Sequence, residues 1–255
     1  MPKNTQGPEP SLSVGSPPGS YWEKSRRPLE ILLFLLPFIV VYEIGLLFLL
    51  RSEQNLVLTN LAHKGIFKLF DVLGVSGMGY ILPGLVLVVS LLVLNILEKK
   101  PWRVEPRVVG SMWIESILWM IPLYLLAWML SSWGQLGMEA ETVPAFEPGL
   151  LGRITIGIGA GLYEELVFRW FMILLVHTIV CDIFKGSNFK GYLIGIIVST
   201  VAFTFYHQPQ DVPFSTIVFY VLGGLYFGLI YINRHFGIVA GVHALYDITV
   251  VLLHS

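Results

Sequence analysis

The chain has 255 residues, of which 55% are hydrophobic and only 13% are charged, and its formal net charge is −1. Soluble globular domains carry about 25% charged residues, so this composition excludes an ordinary soluble domain. The balanced charge gives no reason to expect a nucleic-acid partner. With Cys181 as the single cysteine, no intramolecular disulfide can form. Because the apolar residues come in long runs, the sequence predicts an all-α integral membrane protein.

The chain begins with a polar segment, residues 1–28. This segment is rich in proline, glycine and serine, has no apolar face and ends in basic residues. Such a composition cannot bury enough apolar surface to fold, so a disordered tail is predicted for residues 1–28. The apolar run that follows is too long for a secretory signal peptide and lacks a small-residue cleavage site.

Seven apolar runs follow the tail. Crossing a bilayer takes about 20 residues of helix, and by that criterion spans are predicted at 29–50, 78–97, 111–133, 153–184, 189–207, 214–233 and 237–253. We therefore predict a bundle of about seven transmembrane helices. Residues 29–149 form its N-terminal part and residues 150–255 its C-terminal core.

The segment between the first two spans has a different pattern. Apolar residues recur at three- and four-residue spacing from Leu58 to Leu73, with polar residues between them. This period predicts an amphipathic helix that lies at the membrane interface or packs on the end of the bundle. Lysine and arginine are concentrated in the segments on the same side of the membrane as the N-terminus. We therefore expect the N-terminus on the inner side of the cytoplasmic membrane and the C-terminus on the outer side.

Three polar clusters interrupt the most hydrophobic third of the chain. The first runs from Glu164 to Arg169, the second ends at His207, and the third runs from His243 to Asp247. Ionisable residues at membrane depth are costly, and by default they indicate a functional site. Two histidines, an arginine and three carboxylates make a hydrolytic centre the leading hypothesis.

The spacing inside the clusters predicts specific pairs. Glu165 and Arg169 are four residues apart on a helix and can form an ion pair, whereas Glu164 is rotated by about 100° and stays available for chemistry. A purely structural ion pair is the alternative interpretation. His243 and Asp247 are also four residues apart, so the carboxylate could orient the imidazole. Glycine pairs at the same spacing permit close helix approach in both regions, namely Gly157 with Gly161 and Gly237 with Gly241.

Helical rise tests whether the clusters share one site. Glu164 lies roughly 30 Å before the turn near residue 185, and His207 lies roughly 27 Å after it, so antiparallel helices would bring them to the same depth. His243 lies only about 10 Å from the turn near residue 235. His243 reaches the depth of Glu164 and His207 only if the sixth span is tilted and broken, or if residues 208–213 dip into the protein.

Other polar residues are weaker candidates. Glu43 and Glu115 are intramembrane carboxylates that could line the cavity, but capping or pairing near a helix end is the favoured interpretation. The remaining histidines lie near predicted interfaces without partners at useful spacing, and we predict structural or solvated roles for His63, His177, His235 and His254.

At these residues the chain resembles the family of intramembrane CAAX-processing and bacteriocin-processing proteases (CPBP, or Abi). That family carries Glu-Glu-x-x-x-Arg, then Phe-x-x-x-His, then His-x-x-x-Asn or a close variant, on successive C-terminal membrane helices. The corresponding residues, within about 150–252, are Glu164-Glu165…Arg169, Phe203…His207 and His243…Asp247. The order of the three motifs on adjacent spans makes the resemblance fairly specific.

The resemblance implies a helical membrane fold around a polar chamber and an endopeptidase that cleaves near the C-terminus of a protein or peptide, prenylated or not. Glu164 and His207 would bind and activate the attacking water, and Glu165 with Arg169 would brace the site. His243 would stabilise the oxyanion or act as a ligand. A metalloprotease with a divalent ion such as Zn²⁺ on Glu164, His207 and His243, and a metal-independent glutamate-type protease, both stay open.

One residue departs from the family pattern. Asp247 stands where the prenyl endopeptidases of the family carry asparagine, and an ionised aspartate cannot donate a hydrogen bond to an oxyanion. Asp247 could instead orient His243 or complete a metal site of two histidines and one carboxylate. The pattern thus supports proteolysis more directly than the processing of prenylated proteins.

Two other classes of function are compatible with the composition. A non-enzymatic immunity or scaffold protein of the same family would keep the motifs for structural reasons, and a small transporter would use the carboxylates as a proton relay. Transporters usually contain internal repeats with broken helices at matching positions, and no convincing repeat is present. The ionisable residues of all three motifs are intact, which favours an enzyme. Its expected partners are a protein or peptide substrate and membrane lipid, and its oligomeric state stays open.

Overall fold

A computed structural model describes residues 17, 19–50, 57–72, 74, 82–131, 148–207 and 213–253. These residues are almost entirely helical, so the predicted all-α class is confirmed. The helices are α1 (Tyr21–Lys24), α2 (Pro28–Phe48), α3 (Leu61–Val72), α4 (Leu82–Leu97), α5 (Pro106–Ser131), α6 (Leu150–Glu164), α7 (Ile173–Thr178), α8 (Asn188–Tyr206) and α9 (Phe214–Leu253).

The helix that begins with α6 runs on as far as Ile183. Between α6 and α7 the chain forms a π-helical segment, Glu165–Met172, and a second one, Ile179–Ile183, follows α7. π-Helical turns are rare and frequently occur at functional sites. The first of them begins at the paired glutamates of the first polar cluster.

Five helical stretches of the described chain are long and apolar enough to cross a membrane. They are Pro28–Phe48, Pro106–Leu130, Leu150–Ile183, Asn188–Tyr206 and Phe214–Leu253, and a shorter apolar helix covers Pro83–Leu97. Large apolar side chains are exposed on all of these helices, as expected where lipid surrounds them. The chain is a multi-pass integral membrane protein. Residues 78–81 and 132–133 of the predicted spans lie outside the described residues.

The last predicted spans form a helical hairpin within α9. His235 has φ 64° and ψ −177°, a backbone conformation that breaks the helix. Phe227 and His243 are 16 residues apart, which is about 24 Å in a straight helix, yet their rings stack with centroids 4.7 Å apart. The two halves of α9 therefore lie side by side and antiparallel.

Small residues let α6 pack tightly against the second half of α9. A Cβ added to Gly157 would lie 2.8 Å from the Cβ of Asp247, and one added to Gly161 would clash with the backbone nitrogen of Ala244. These two contacts run in opposite directions along the chains, so α6 and this half of α9 are antiparallel. The predicted close approach at the glycine pair is present, and it sets which residues of α9 face the first cluster.

The other face of the same half of α9 packs on α2. A Cβ added to Gly241 would lie 2.5 Å from the Phe34 ring, and one added to Gly237 would lie 3.0 Å from Ile31. The second half of α9 is thus held between α2 and α6. This arrangement positions the third polar cluster in the interior of the bundle.

We expect Gly161→Ala to destabilise the protein by about 1–3 kcal/mol, the usual range for an overpacked interior. The added methyl group would meet backbone atoms, which cannot move aside without separating the two helices. The matched control is Gly110→Ala in α5, where nothing lies within 4 Å of an added Cβ and alanine favours the helix. Thermal unfolding of both variants in detergent is the measurement, and equal Tm values would contradict the packing argument.

The end of the predicted disordered tail is folded. α1 occupies Tyr21–Lys24 and Ser25 is buried. Tyr21 donates a hydrogen bond to Glu115, and the Arg234 guanidinium lies 4.1 Å from the centroid of the Trp22 ring. The predicted boundary at residue 28 is therefore wrong for residues 20–27, because their two aromatic rings supply apolar surface for packing. Residues 1–16 lie outside the described residues.

Segments predicted to share one side of the membrane meet at one end of the bundle. The Lys24 Nζ lies 2.6 Å from the Glu105 Oε1 in the α4–α5 connection, and the Arg26 Nη2 donates to the Asn233 carbonyl at 2.7 Å. The hydrogen bond from Lys24 holds the pKa of Glu105 below its usual range. The N-terminal region, the α4–α5 connection and the turn of α9 therefore lie together.

Candidate active site

The first and third polar clusters meet at a fully buried carboxylate, Glu165. Its Oε1 lies 3.2 Å from the Arg169 Nη1, and both side chains have 0% relative exposure. The same oxygen lies 2.8 Å from the Nδ1 of His243. The predicted pairing of Glu165 with Arg169 is present, and the carboxylate also fixes the orientation of the His243 ring.

Glu164 faces a different set of groups, as its rotation around the helix predicts. Its Oε2 lies 3.3 Å from the Nε2 of His207, and its Oε1 accepts a hydrogen bond from the Tyr206 hydroxyl at 3.4 Å. The Nδ1 of His207 lies 2.9 Å from the Phe203 carbonyl oxygen. Because that oxygen can only accept, Nδ1 carries a proton and Nε2 is the atom that faces Glu164.

The third cluster places a carboxylate on each side of one histidine. The Nε2 of His243 lies 3.6 Å from the Oδ2 of Asp247, and its Nδ1 faces Glu165. The side chains of Asp247 and His207 are 24% and 14% exposed, whereas that of Glu165 is not exposed. The site is therefore closed behind Glu165 and open on the side of Asp247 and His207.

Aromatic rings surround the buried guanidinium of Arg169. Its Cζ lies 4.1 Å from the centroid of the Phe203 ring and 5.3 Å from that of Phe227, and its Nη2 is 3.5 Å from the Gly224 carbonyl oxygen. Contacts between a cation and the face of an aromatic ring are strongest where water is excluded. Phe203 of the second motif thus stabilises the cation of the first motif.

The formal charges of the cluster do not cancel. One guanidinium stands among three carboxylates, Glu164, Glu165 and Asp247, so two negative charges are unbalanced if both histidines are neutral. Burying unpaired charge is expensive. Two protons on the histidines or carboxylates would restore neutrality, and so would one divalent cation.

The described residues do not form a ready-made metal site. No group of three or more His, Cys, Asp or Glu side chains among them is arranged to hold a metal ion. His243, a predicted third ligand, has its Nδ1 bonded to Glu165 at 2.8 Å. Glu164 and His207 are the two residues nearest to such an arrangement.

Residues 146–249 match the family described as type II CAAX prenyl endopeptidase Rce1-like. This segment is an Rce1-like domain. Membership of the family implies a CAAX-type intramembrane protease. All three polar clusters lie inside the Rce1-like domain, whereas α1 to α5 precede it. No curated protein and no solved structure matches the chain.

The turn of α9 explains how His243 reaches the depth of the other Rce1-like motifs. Trp170 packs on Phe236 beside that turn, with ring centroids 5.2 Å apart. From Trp170 the chain runs about 9 Å back along its helix to Glu164, and from Phe236 it runs about 10 Å forward along α9 to His243. Because the two helices are antiparallel, Glu164 and His243 lie at similar depth. The predicted mismatch assumed that the turns near residues 185 and 235 lie at the same depth, and this assumption is wrong. Residues 208–212, the other suggested cause, lie outside the described part.

The two weaker carboxylate candidates lie outside the cluster. Glu115 bonds to Arg234, with Oε1 2.5 Å from its Nε and Oε2 2.7 Å from its Nη2, and Trp119 donates to the Oε1 at 3.1 Å. Glu43 accepts from the Tyr163 hydroxyl at 3.1 Å. Glu115 therefore pairs within the fold, as favoured, and Glu43 is hydrogen-bonded to Tyr163.

His63 has a structural role, one of the two predicted for it, and its partners lie far from it in the sequence. The side chain is fully buried, its Nδ1 lies 2.6 Å from the Tyr42 hydroxyl, and its ring packs on Tyr163 with centroids 4.8 Å apart. The predicted amphipathic helix exists as α3, but its first turn packs into the bundle beside α2 and α6. His177 is also buried, against Tyr192 at 4.1 Å between ring centroids, and His254 lies outside the described residues.

Two tyrosines belong to the site although sequence reasoning assigned them no role. Tyr206 bonds to Glu164, and the ring of Tyr220 stacks on His207 with centroids 4.5 Å apart. Tyr206 could have been found from its position directly before His207 at the end of a hydrophobic run. Tyr220 carries no such signal, because its contact depends on how the first half of α9 packs beside α8.

Proposed function

We propose that this protein is an intramembrane endopeptidase that hydrolyses a peptide bond near the C-terminus of a protein or peptide substrate. The observation that carries the proposal is the pair of Glu164 and His207, 3.3 Å apart, beside a histidine held by a buried carboxylate. A carboxylate and an imidazole at this separation provide a base for water and a second group that binds it.

The attacking water hydrogen-bonds to both the Oε2 of Glu164 and the Nε2 of His207, beside the 3.3 Å gap that separates these two atoms. As the water oxygen forms its bond to the substrate carbonyl carbon, Glu164 accepts one water proton. The C–N bond then breaks, and Glu164 delivers this proton to the leaving amine. This delivery restores the carboxylate of Glu164. The second water proton stays on the new carboxylic acid, which ionises on release.

His243 supplies the positive charge for the developing oxyanion. Its Nδ1 donates to Glu165, and in the imidazolium form its Nε2–H is a donor on the open side of the site. Pre-oriented donors of this kind are often the largest contribution to acyl-transfer catalysis. Arg169 holds Glu165, and Asp247 stabilises the charged form of His243, so neither has to contact the substrate.

A divalent cation such as Zn²⁺ is the alternative means of activating the water. If one is bound, Glu164 and His207 are its nearest protein ligands, and it would lower the pKa of a bound water. The charge imbalance in the cluster is compatible with such an ion, but the three-donor geometry is not present among the described residues. The steps above therefore involve side chains alone.

The proposed setting is a cytoplasmic membrane crossed by about seven helices, which is the number obtained when α4 and both halves of α9 are counted as spans. The end of the bundle where Lys24, Arg26 and the turn of α9 meet faces the inside of the cell. Lipid surrounds the exposed apolar faces, and the polar site is enclosed between α6, α8 and α9.

The test is cleavage by purified wild-type protein in detergent micelles and in proteoliposomes. The peptide panel contains farnesylated CAAX sequences, the same sequences without the lipid, and unrelated C-terminal and internal sequences, with mass spectrometry of the fragments. We expect cleavage near the C-terminus. Dependence on the prenyl group defines the substrate class, and loss of activity with a chelator that is reversed by Zn²⁺ identifies a metal. Folded protein that cleaves nothing in the panel would favour an immunity or scaffold role.

A further inference from the structure

Tyr206, the last residue of α8, connects the helices before the Rce1-like domain to the candidate base. Its hydroxyl accepts a hydrogen bond from the backbone N–H of Ala62 at 2.9 Å and donates to the Oε1 of Glu164 at 3.4 Å. The amide of Ala62 is in the first turn of α3, where N–H groups have no partner within the helix. The two hydrogen bonds therefore run in one direction: Ala62 donates to Tyr206, and Tyr206 donates to Glu164.

The first turn of α3 is held firmly enough to position a side chain. The Asn60 Oδ1 accepts from the His63 backbone N–H at 2.7 Å, which caps the helix. The Tyr42 hydroxyl lies 2.5 Å from Thr59 Oγ1 and 2.6 Å from His63 Nδ1. Tyr42 belongs to α2 and bonds both to Thr59, just before α3, and to His63, within α3. The Ala62 amide is therefore fixed relative to α2.

The ring of Tyr206 is also fixed. It packs edge-on against Phe168 with centroids 5.2 Å apart and against the neighbouring His207 ring at 4.8 Å. Both the ring and the hydroxyl are thus set by contacts that do not depend on Glu164. The hydroxyl can therefore act on the carboxylate as a fixed donor.

We infer that Tyr206 is a positioning residue for Glu164 and that α3 holds it in place. By bonding to Oε1, Tyr206 leaves Oε2 as the oxygen that faces His207 and takes the proton from water. This inference rests on the proposed function, and it gives the N-terminal helices a direct part in the chemistry of the Rce1-like domain.

The main test is Tyr206→Phe, which removes the hydroxyl and keeps the ring. We expect kcat to fall about 10-fold or more with KM changed less than about twofold, because a misplaced catalytic group costs rate rather than binding. The matched control is Tyr226→Phe, which removes a hydroxyl that donates to the Trp119 carbonyl at 2.6 Å, away from Glu164. Equal kcat in the two variants, or a change confined to KM, would overturn the inference.

The role of α3 is tested with Ala62→Pro, which removes the N–H that donates to Tyr206 and that makes no hydrogen bond within the helix. We expect a loss of kcat similar to that of Tyr206→Phe, and no further loss when the two changes are combined. Independent losses that multiply in the double variant would show that α3 does not act through Tyr206.

A measurement that needs no substrate separates this inference from the proposed function. The Tm changes of Tyr206→Phe and Glu164→Ala are expected to be non-additive in the double variant, because alanine removes the acceptor of the Tyr206 hydroxyl. Additive changes would overturn the inference even if no peptide is cleaved. Wild-type protein that cleaves nothing, together with non-additive Tm changes, would overturn the proposed function and the catalytic part of the inference but leave the contact established.

Discussion

Replacing Glu164 by glutamine is expected to lower kcat by about 10³-fold, within the range for loss of a general base, while the protein still folds. Glutamine has nearly the same shape and can still accept a hydrogen bond from Tyr206, but its amide cannot take a proton from water. The fold loses no ion pair with Arg169, because Arg169 is paired with Glu165. Peptide cleavage rates and thermal unfolding of the same preparations provide the measurement.

The matched control for this change is Glu43→Gln. Glu43 is another glutamate inside a predicted span, and its Oε1 accepts a hydrogen bond from the Tyr163 hydroxyl and not from a residue of the three clusters. The same substitution there is expected to leave kcat within about twofold, since no reacting atom is touched. Cleavage by Glu164→Gln at the wild-type rate would contradict the mechanism.

Replacing Arg169 by leucine is expected to have the largest effect on stability, about 3–5 kcal/mol, the usual loss when one partner of a buried ion pair is removed. Glu165, with 0% exposure, would then lose its guanidinium partner and keep only His243 as a donor. The carboxylate that orients His243 would no longer be held by Arg169. We expect a strongly reduced Tm, a low yield of folded protein and no measurable turnover.

A second substitution distinguishes the charge effect from a packing effect. In Arg169→Leu with Glu165→Gln the buried charge is gone, so part of the lost stability should return while activity does not. Arg153→Leu is the surface control, because Arg153 is exposed near the start of α6 and should change Tm little. A double variant no more stable than Arg169→Leu would show that packing around the guanidinium matters more than its charge.

Several features of the site could be predicted because they depend on local spacing along one helix. The pairing of Glu165 with Arg169 and the proximity of Asp247 to His243 follow from the four-residue period of the helix. The meeting of Glu164 with His207 follows from equal helix lengths on both sides of one turn. The close packing at Gly157 and Gly161 was predictable from spacing as well, although the partner helix was not.

The contacts that sequence reasoning missed join residues far apart in the chain. Tyr206 bonds to Ala62, 144 residues away, and Arg234 bonds to Glu115, 119 residues away. Nothing in the local pattern around these residues indicates the partner. The packing of α1 was missed for the same reason, because its partners are Arg234 at the turn of α9 and Glu115 in α5.

The all-helical membrane fold and the three polar clusters in the order typical of the CPBP family follow from the amino-acid sequence alone, because hydrophobic runs and motif spacing are properties of neighbouring residues. The approach of His243 to Glu165 and the contact of α3 with Tyr206 follow from the three-dimensional packing. These outcomes depend on the depth at which α9 turns and on the close approach of helices at glycines. Both are set by side-chain packing between distant segments, which no local pattern encodes.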